Sequence, residues 1–166
     1  MFTIDTDTNL PKNDLYPALN KQLAALLAGE TDLICNFAQF SAFIMQTVEQ
    51  VNWVGFYFAK QNELVLGPYM GKVACTRIPF GRGVCGAAAA SMQAQRVADV
   101  HAFDGHIACD SASASELVLP IVVDGDLIGV LDIDSPIKNR FDEVDQVGFE
   151  QLLTTLIQGT EFDWSL

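Results

Sequence analysis

The chain is short of positive charge. Nine lysines and arginines stand against twenty-one aspartates and glutamates in 166 residues, a formal net charge of −12. A surface of that sign repels phosphate backbones and anionic membranes, which argues against a nucleic-acid or membrane-surface protein. Long apolar runs are also missing, and none reaches the roughly 20 residues that a bilayer-spanning helix needs. The opening stretch MFTIDTDTNLPKNDLY lacks the basic start and apolar core of a secretory signal. The expectation is a cytoplasmic protein. There is no Cys-x-x-Cys pair and no His-Glu-x-x-His helix, the commonest spacings of metal sites. The four cysteines, Cys35, Cys75, Cys85 and Cys109, match two disulfides by count. A reducing compartment does not keep structural bridges, so a disulfide here belongs to a reaction cycle.

What is present is apolar patterning: half of the residues are hydrophobic, enough for one compact domain of this length. Residues 1–12 are polar and read as an arm, with residues 13–162 as a single domain. Leu15, Leu19, Leu23, Leu26 and Leu27 recur at helical spacing from Asn13, with Pro17 taken to lie in the first turn and Gly29 ending the helix. Thr31 is the expected cap of a second helix, whose residues Leu33, Ile34, Phe37, Phe40, Phe43, Ile44 and Val48 predict extensive burial.

NWVGFYFAK then reads as a strand with Val54, Phe56 and Phe58 on one face and Trp53, Gly55 and Tyr57 on the other; QNE turns it into a second strand. A short helix in AAAASMQ, a strand in QRVADV, a loop, and a hairpin through Asp124-Gly125 follow. A final helix starts at Asp142 and Glu143 and runs through Val144, Val147, Leu152, Leu153 and Leu156. This order predicts an α+β fold, an antiparallel sheet with the terminal helices on one face.

Alternation sharpens the other face. In the last strand Ile128, Val130, Asp132 and Asp134 share a side, and Leu127, Leu131 and Ile133 share the opposite one. A three-residue hairpin loop containing Gly125 would bring Glu116 opposite Asp132 or Asp134, whereas a two-residue loop would turn it away. Together with Trp53 and Tyr57, these acids would line a pocket suited to a ligand with an ammonium group and a small apolar part. For any one carboxylate taken alone, ordinary exposure on an acidic protein is the simpler reading.

The cysteines leave several chemistries open. Cys35 reads as a small side chain inside the second helix. Cys85 sits near the start of the short helix, where the dipole and Arg82 would favour a thiolate, though tight packing explains a small residue there equally well. Cys109, in HAFDGHIACDSASASE, stands in a loop whose backbone N–H groups can serve a sulfur anion, while the adjacent Asp110 opposes ionisation. His101, His106 and Cys109, completed by Cys75 or Cys85, would suffice for a zinc site. A Cys/His/Asp triad is possible in composition, and surface histidines are the plain alternative.

NWVGFYF, LGPYMGKVACTRIPFGRGVCG, DSASASELVLPIVVDGDLIGVLDIDSP and RFDEVDQ closely resemble the free methionine-(R)-sulfoxide reductases, small enzymes of the GAF fold. The match runs from the first helix to the last. The resemblance implies Cys109 as nucleophile, Cys75 as resolving cysteine and Cys85 as a neighbouring site cysteine able to relay oxidation. It implies that Trp53 and Tyr57 shape the pocket and that Glu116, Asp132 and Asp134 bind or polarise free methionine sulfoxide. A homodimer, a thioredoxin-type reductant and no cofactor are further expectations. The alternatives are a stand-alone GAF sensory domain, since fold does not determine function, and a zinc-stabilised interaction module.

Overall fold

The computed structural model describes residues 4, 10–103 and 112–162. Six antiparallel strands form one sheet: β1 (Trp53–Lys60), β2 (Glu63–Met70), β3 (Arg77–Pro79), β4 (Gln95–Val97), β5 (Ser115–Val123) and β6 (Asp126–Ser135), in the order β3-β2-β1-β6-β5-β4. Helices α1 (Lys12–Leu26), α2 (Leu33–Thr47) and α4 (Glu143–Gln158) share a core with one face of the sheet, and the short α3 (Gly83–Ser91) covers the other. The expected α+β architecture is therefore present, with β1 and β6 at its centre. No helix among the described residues is long and apolar enough to cross a membrane.

The two faces of β1 follow the alternation predicted for them. Val54, Phe56 and Phe58 join Phe37, Phe40, Leu119, Leu131, Ile133 and Phe149 in the helix-side core. Trp53 and Tyr57 instead join Val84, Cys85, Ala88, Val118 and Val130 beneath α3. Small residues let α3 lie close to the sheet: Val84, Cys85, Ala88 and Ala89 form its buried stripe.

Several local expectations change. Helix α1 starts at Lys12, so Pro17 falls in its second turn and the helix continues through it. Asp32, not Thr31, caps α2: its carboxylate accepts the Cys35 N–H at 2.8 Å, placed by Leu33 being the first helical residue. Ile34 and Val147, counted among the apolar faces of α2 and α4, are both 46% exposed. At α4 the buried stripe instead includes Asp145 and Gly148. Asp145 and Asp142 form a reciprocal capping box, and Asp145 also accepts bonds from Tyr16 Oη at 2.7 Å and Arg140 at 3.1 Å. This buried carboxylate ties α1, α4 and the segment after β6 together.

The β5–β6 hairpin decides the register of the acidic face. Val123 pairs with Asp126, leaving Asp124 and Gly125 as a two-residue loop with φ of 53° and 90°. Such a loop alone would have turned Glu116 toward the helices. A β-bulge intervenes: Val122 pairs with Leu127 but Ile121 pairs with Gly129, so Ile128 is the extra residue. Glu116 then faces Asp134. The same bulge corrects the alternation at the strand's start, because Ile128 packs on the helix-side core and Leu127 on the α3 side.

Candidate active site

The central strands bring five of the expected site residues onto the face under α3. Register places Asp134 opposite both Trp53 and Glu116, and Asp132 opposite Gly55 and Val118. Trp53 and Tyr57 are buried four residues apart on the same side of β1, their rings stacked at 6.0 Å. Trp53 is held from a second direction by its indole N–H, which donates to the Lys72 carbonyl at 3.1 Å.

Tyr69 completes the aromatic wall. Its ring stacks on Trp53 at 5.2 Å with 15° between planes, and it pairs with Gly55 across the β1–β2 ladder. A Cβ at Gly55 would lie 2.2 Å from the Tyr69 Cβ, so this glycine is what admits the ring. Tyr69 was not among the predicted site residues. The only local signal was its glycine partner in the middle of an otherwise bulky strand.

Carboxylates form the opposite side. Glu116 and Asp132 are each 7% exposed, and Asp132 Oδ1 has no hydrogen-bond partner among the described residues. Burial pushes both acids up, Asp132 to about 6; Asp132 and Asp134 beside Glu116 add to the rise of its carboxyl. Charge crowding of this kind keeps a proton in the pair at pH values where an exposed acid has lost it. The same burial, together with these acids, raises the Tyr57 phenol and keeps it neutral. The site thus presents an apolar aromatic wall, a buried oxygen with spare accepting capacity and an acid able to donate.

A model of the GAF domain matches residues 22–158. Protein YtsP of Bacillus subtilis is 54% identical over 94% of this chain and 96% of its own length. The free methionine-R-sulfoxide reductase of Escherichia coli is 52% identical over 87% of this chain and 88% of its own. The chain belongs to the free methionine-R-sulfoxide reductase family. A crystal structure of the free methionine-R-sulfoxide reductase from Neisseria meningitidis, in complex with its substrate, matches this fold with a TM-score of 0.91 at 42% identity, covering 96% of this chain and 95% of that one.

Among the cysteines of this family member, Cys35 is an exposed free thiol and Cys85 a buried one. Cys75 is half-buried against the α3-side core and is disulfide-bonded. Cys109 and His106 lie outside the described residues, as does Asp110. Of the two readings open for Cys85, the structure shows the packed one: it is 4% exposed in the α3-side core. Arg82 is exposed at the helix start, while the Cys85 thiol is aimed at Glu116 Oε1, 3.8 Å away. Burial first, then Asp132 and Glu116, push this thiol well up. A helix N-terminus contributes about 0.3–1 kcal/mol toward a thiolate in its first turn, against a desolvation penalty of several kcal/mol for a buried ion. Desolvation wins, and Cys85 is a thiol.

Of the alternative zinc set, His106 and Cys109 lie outside the described residues, and His101 is an exposed residue of the 3-10 turn at Val100–Ala102. The potential ligands that do converge among the described residues are Cys85, Glu116 and Asp132.

Proposed function

We propose that this chain reduces free L-methionine-(R)-sulfoxide to methionine. The observation that carries the reading is the pairing of the Trp53–Tyr57–Tyr69 wall with the buried Glu116 and Asp132 on one face of the sheet. Ionised Asp132, with Asp134, receives the substrate ammonium, and the indole of Trp53 packs on the S-methyl group. Glu116 holds the proton that the sulfoxide oxygen needs to leave. Names and identities of the relatives support the same chemistry.

Cys109 is assigned as nucleophile. Its sulfur attacks the sulfoxide sulfur, the S–O oxygen passes to cysteine, and the products are methionine and a Cys109 sulfenic acid. Cys75 then condenses with the sulfenic acid, releasing water and forming a disulfide; its disulfide-bonded state in this structure supports that role. A thioredoxin-type dithiol reduces the disulfide by exchange and is itself oxidised. Cys85 stands beside the acids as a neighbouring site thiol. The cycle needs electrons from the dithiol alone and suits the reducing cytoplasm. Residues 13–162 serve as the working domain, with 1–12 as an arm, and the active species is a homodimer, which light scattering of the purified protein checks.

With dithiothreitol as reductant, the purified chain is expected to convert free L-methionine-(R)-sulfoxide in preference to the S form and to peptide-bound sulfoxide. A reduced, folded protein without turnover overturns the proposal and leaves ligand sensing. Cys109→Ser is expected to abolish even the first methionine released. Cys75→Ser is expected to release one equivalent and stop at the sulfenate, which trapping and mass spectrometry detect.

A further inference from the structure

We propose that Cys85, Glu116 and Asp132 form a binding site for a thiophilic divalent cation such as Zn2+, which competes with substrate for the carboxylates. The binding claim stands on geometry alone; its inhibitory consequence rests on the function proposed above.

One sulfur and two carboxylate oxygens from these side chains lie within 4.8 Å of one another, and all three residues are buried. The Cys85 sulfur to Glu116 oxygen distance of 3.8 Å is close to the ~3.5 Å separation of two ligands on a tetrahedral ion with Zn–S of about 2.3 Å and Zn–O of about 2.0 Å. Three elements supply them: the first turn of α3 and the paired strands β5 and β6. The Cys85–Glu116 pair needs a movement of a few tenths of an ångström, and any pair at the 4.8 Å limit needs about 1 Å, which side-chain rotation supplies. Mixed sulfur and oxygen donors select zinc-like ions over magnesium or calcium, which prefer oxygen alone.

One feature beside the convergence of the three side chains points to a ligand here. Asp132 Oδ1 is buried with no hydrogen-bond partner among the described residues, which leaves an accepting oxygen unspent where desolvation makes that costly. A cation that enters replaces the Cys85 thiol proton, forming a metal–sulfur bond and releasing the proton to solvent. Three protein ligands leave a fourth tetrahedral position open. Because the ion occupies the carboxylates assigned to the substrate ammonium, ion and substrate exclude each other.

The test uses the full chain with Cys75 kept in its disulfide and Cys35→Ser, so that neither of those thiols competes. Titration with Co2+ is expected to give one equivalent of binding with a thiolate-to-cobalt charge-transfer band, abolished by Zn2+. Cys85→Ala is expected to lose the band. Asp132→Asn, which retains both the thiol and the side-chain volume, is expected to weaken Zn2+ binding by roughly tenfold or more. With the reduced Cys35→Ser enzyme, Zn2+ is expected to raise the apparent KM for sulfoxide while leaving kcat unchanged. Absence of the band, or a band that survives Cys85→Ala in a protein of normal circular dichroism, overturns the site. If the band behaves as expected and Zn2+ nevertheless lowers only kcat, the competition is overturned. Binding with no turnover under any condition refutes the reductase reading instead.

Discussion

Burial sets the charge state of Asp132, and the consequence extends from chemistry to stability. Its folded carboxyl titrates at about 6 against 3.8 for an exposed one, so between those values the native state holds more protons than the unfolded chain. Stability therefore falls as pH rises through that window. At ~1.4 kcal/mol per pH unit, the burden reaches about 2–3 kcal/mol by neutral pH. Asp132→Asn removes it. Urea unfolding is expected to show the variant more stable than the parent at pH 7.5, nearly equal at pH 4, and with a flatter slope between; parallel curves refute the assignment. The same variant should lose turnover if, as proposed, the group that costs stability is the one that meets the ammonium. Tyr69 acts differently. Its stacking on Trp53 is worth ~0.5–1.5 kcal/mol, so Tyr69→Ala is expected to raise KM about 2- to 10-fold with a smaller change in kcat. Steady-state kinetics check this, and an unchanged KM removes Tyr69 from the binding wall.

At the scale of elements, close approach governs what each helix and strand tolerates. Gly148 of α4 faces the ring of Tyr16 in α1, and a Cβ there would sit 2.1 Å from the ring's Cγ. Alanine gains up to ~1 kcal/mol of helix propensity but forces the two helices apart, at ~1–3 kcal/mol or more. Gly148→Ala is expected to lower stability by about 1–2 kcal/mol, whereas Gly159→Ala, whose Cβ meets nothing nearer than 3.5 Å, is expected to be neutral. Thermal unfolding of the pair decides it. The Gly148–Tyr16 contact was not legible in the sequence, since it joins residues more than a hundred positions apart. The strand faces were legible, because side chains alternate strictly: Trp53 and Tyr57 separate from Val54, Phe56 and Phe58 as the pattern predicts. Alternation failed only where the backbone adds a residue. Ile128 is an ordinary strand former, and the available sign of the bulge was Gly129 beside it, whose missing Cβ accommodates the Tyr57 carbonyl 2.2 Å from where that atom would lie. The Cys85 environment was hidden for another reason: local sequence shows a helix start, while the acids that decide its charge arrive from β5 and β6.

In the whole molecule the sheet divides two unequal cores. The helix side carries most of the large buried side chains, including Phe37, Phe40, Phe43, Phe56 and Phe149. The α3 side relies on Trp53, Tyr57 and a short helix that contributes chiefly alanine, valine and cysteine. A nine-residue helix is below the ~12–15 residues at which isolated helices become even marginally stable, and alanines bury little apolar area with which to anchor it. Regions of this kind open locally at a lower free energy than the global transition. Native-state hydrogen exchange is therefore expected to show the α3 amides of Ala88 and Ala89 opening well before those of Phe56 in β1, Leu119 in β5 and Leu131 in β6. Free methionine sulfoxide should slow exchange in α3, because a ligand between the aromatic wall and the acids gives Cys85 and its helix a partner that only the closed state offers. Equal protection in α3 and the central strands would show instead that the two cores unfold as one unit.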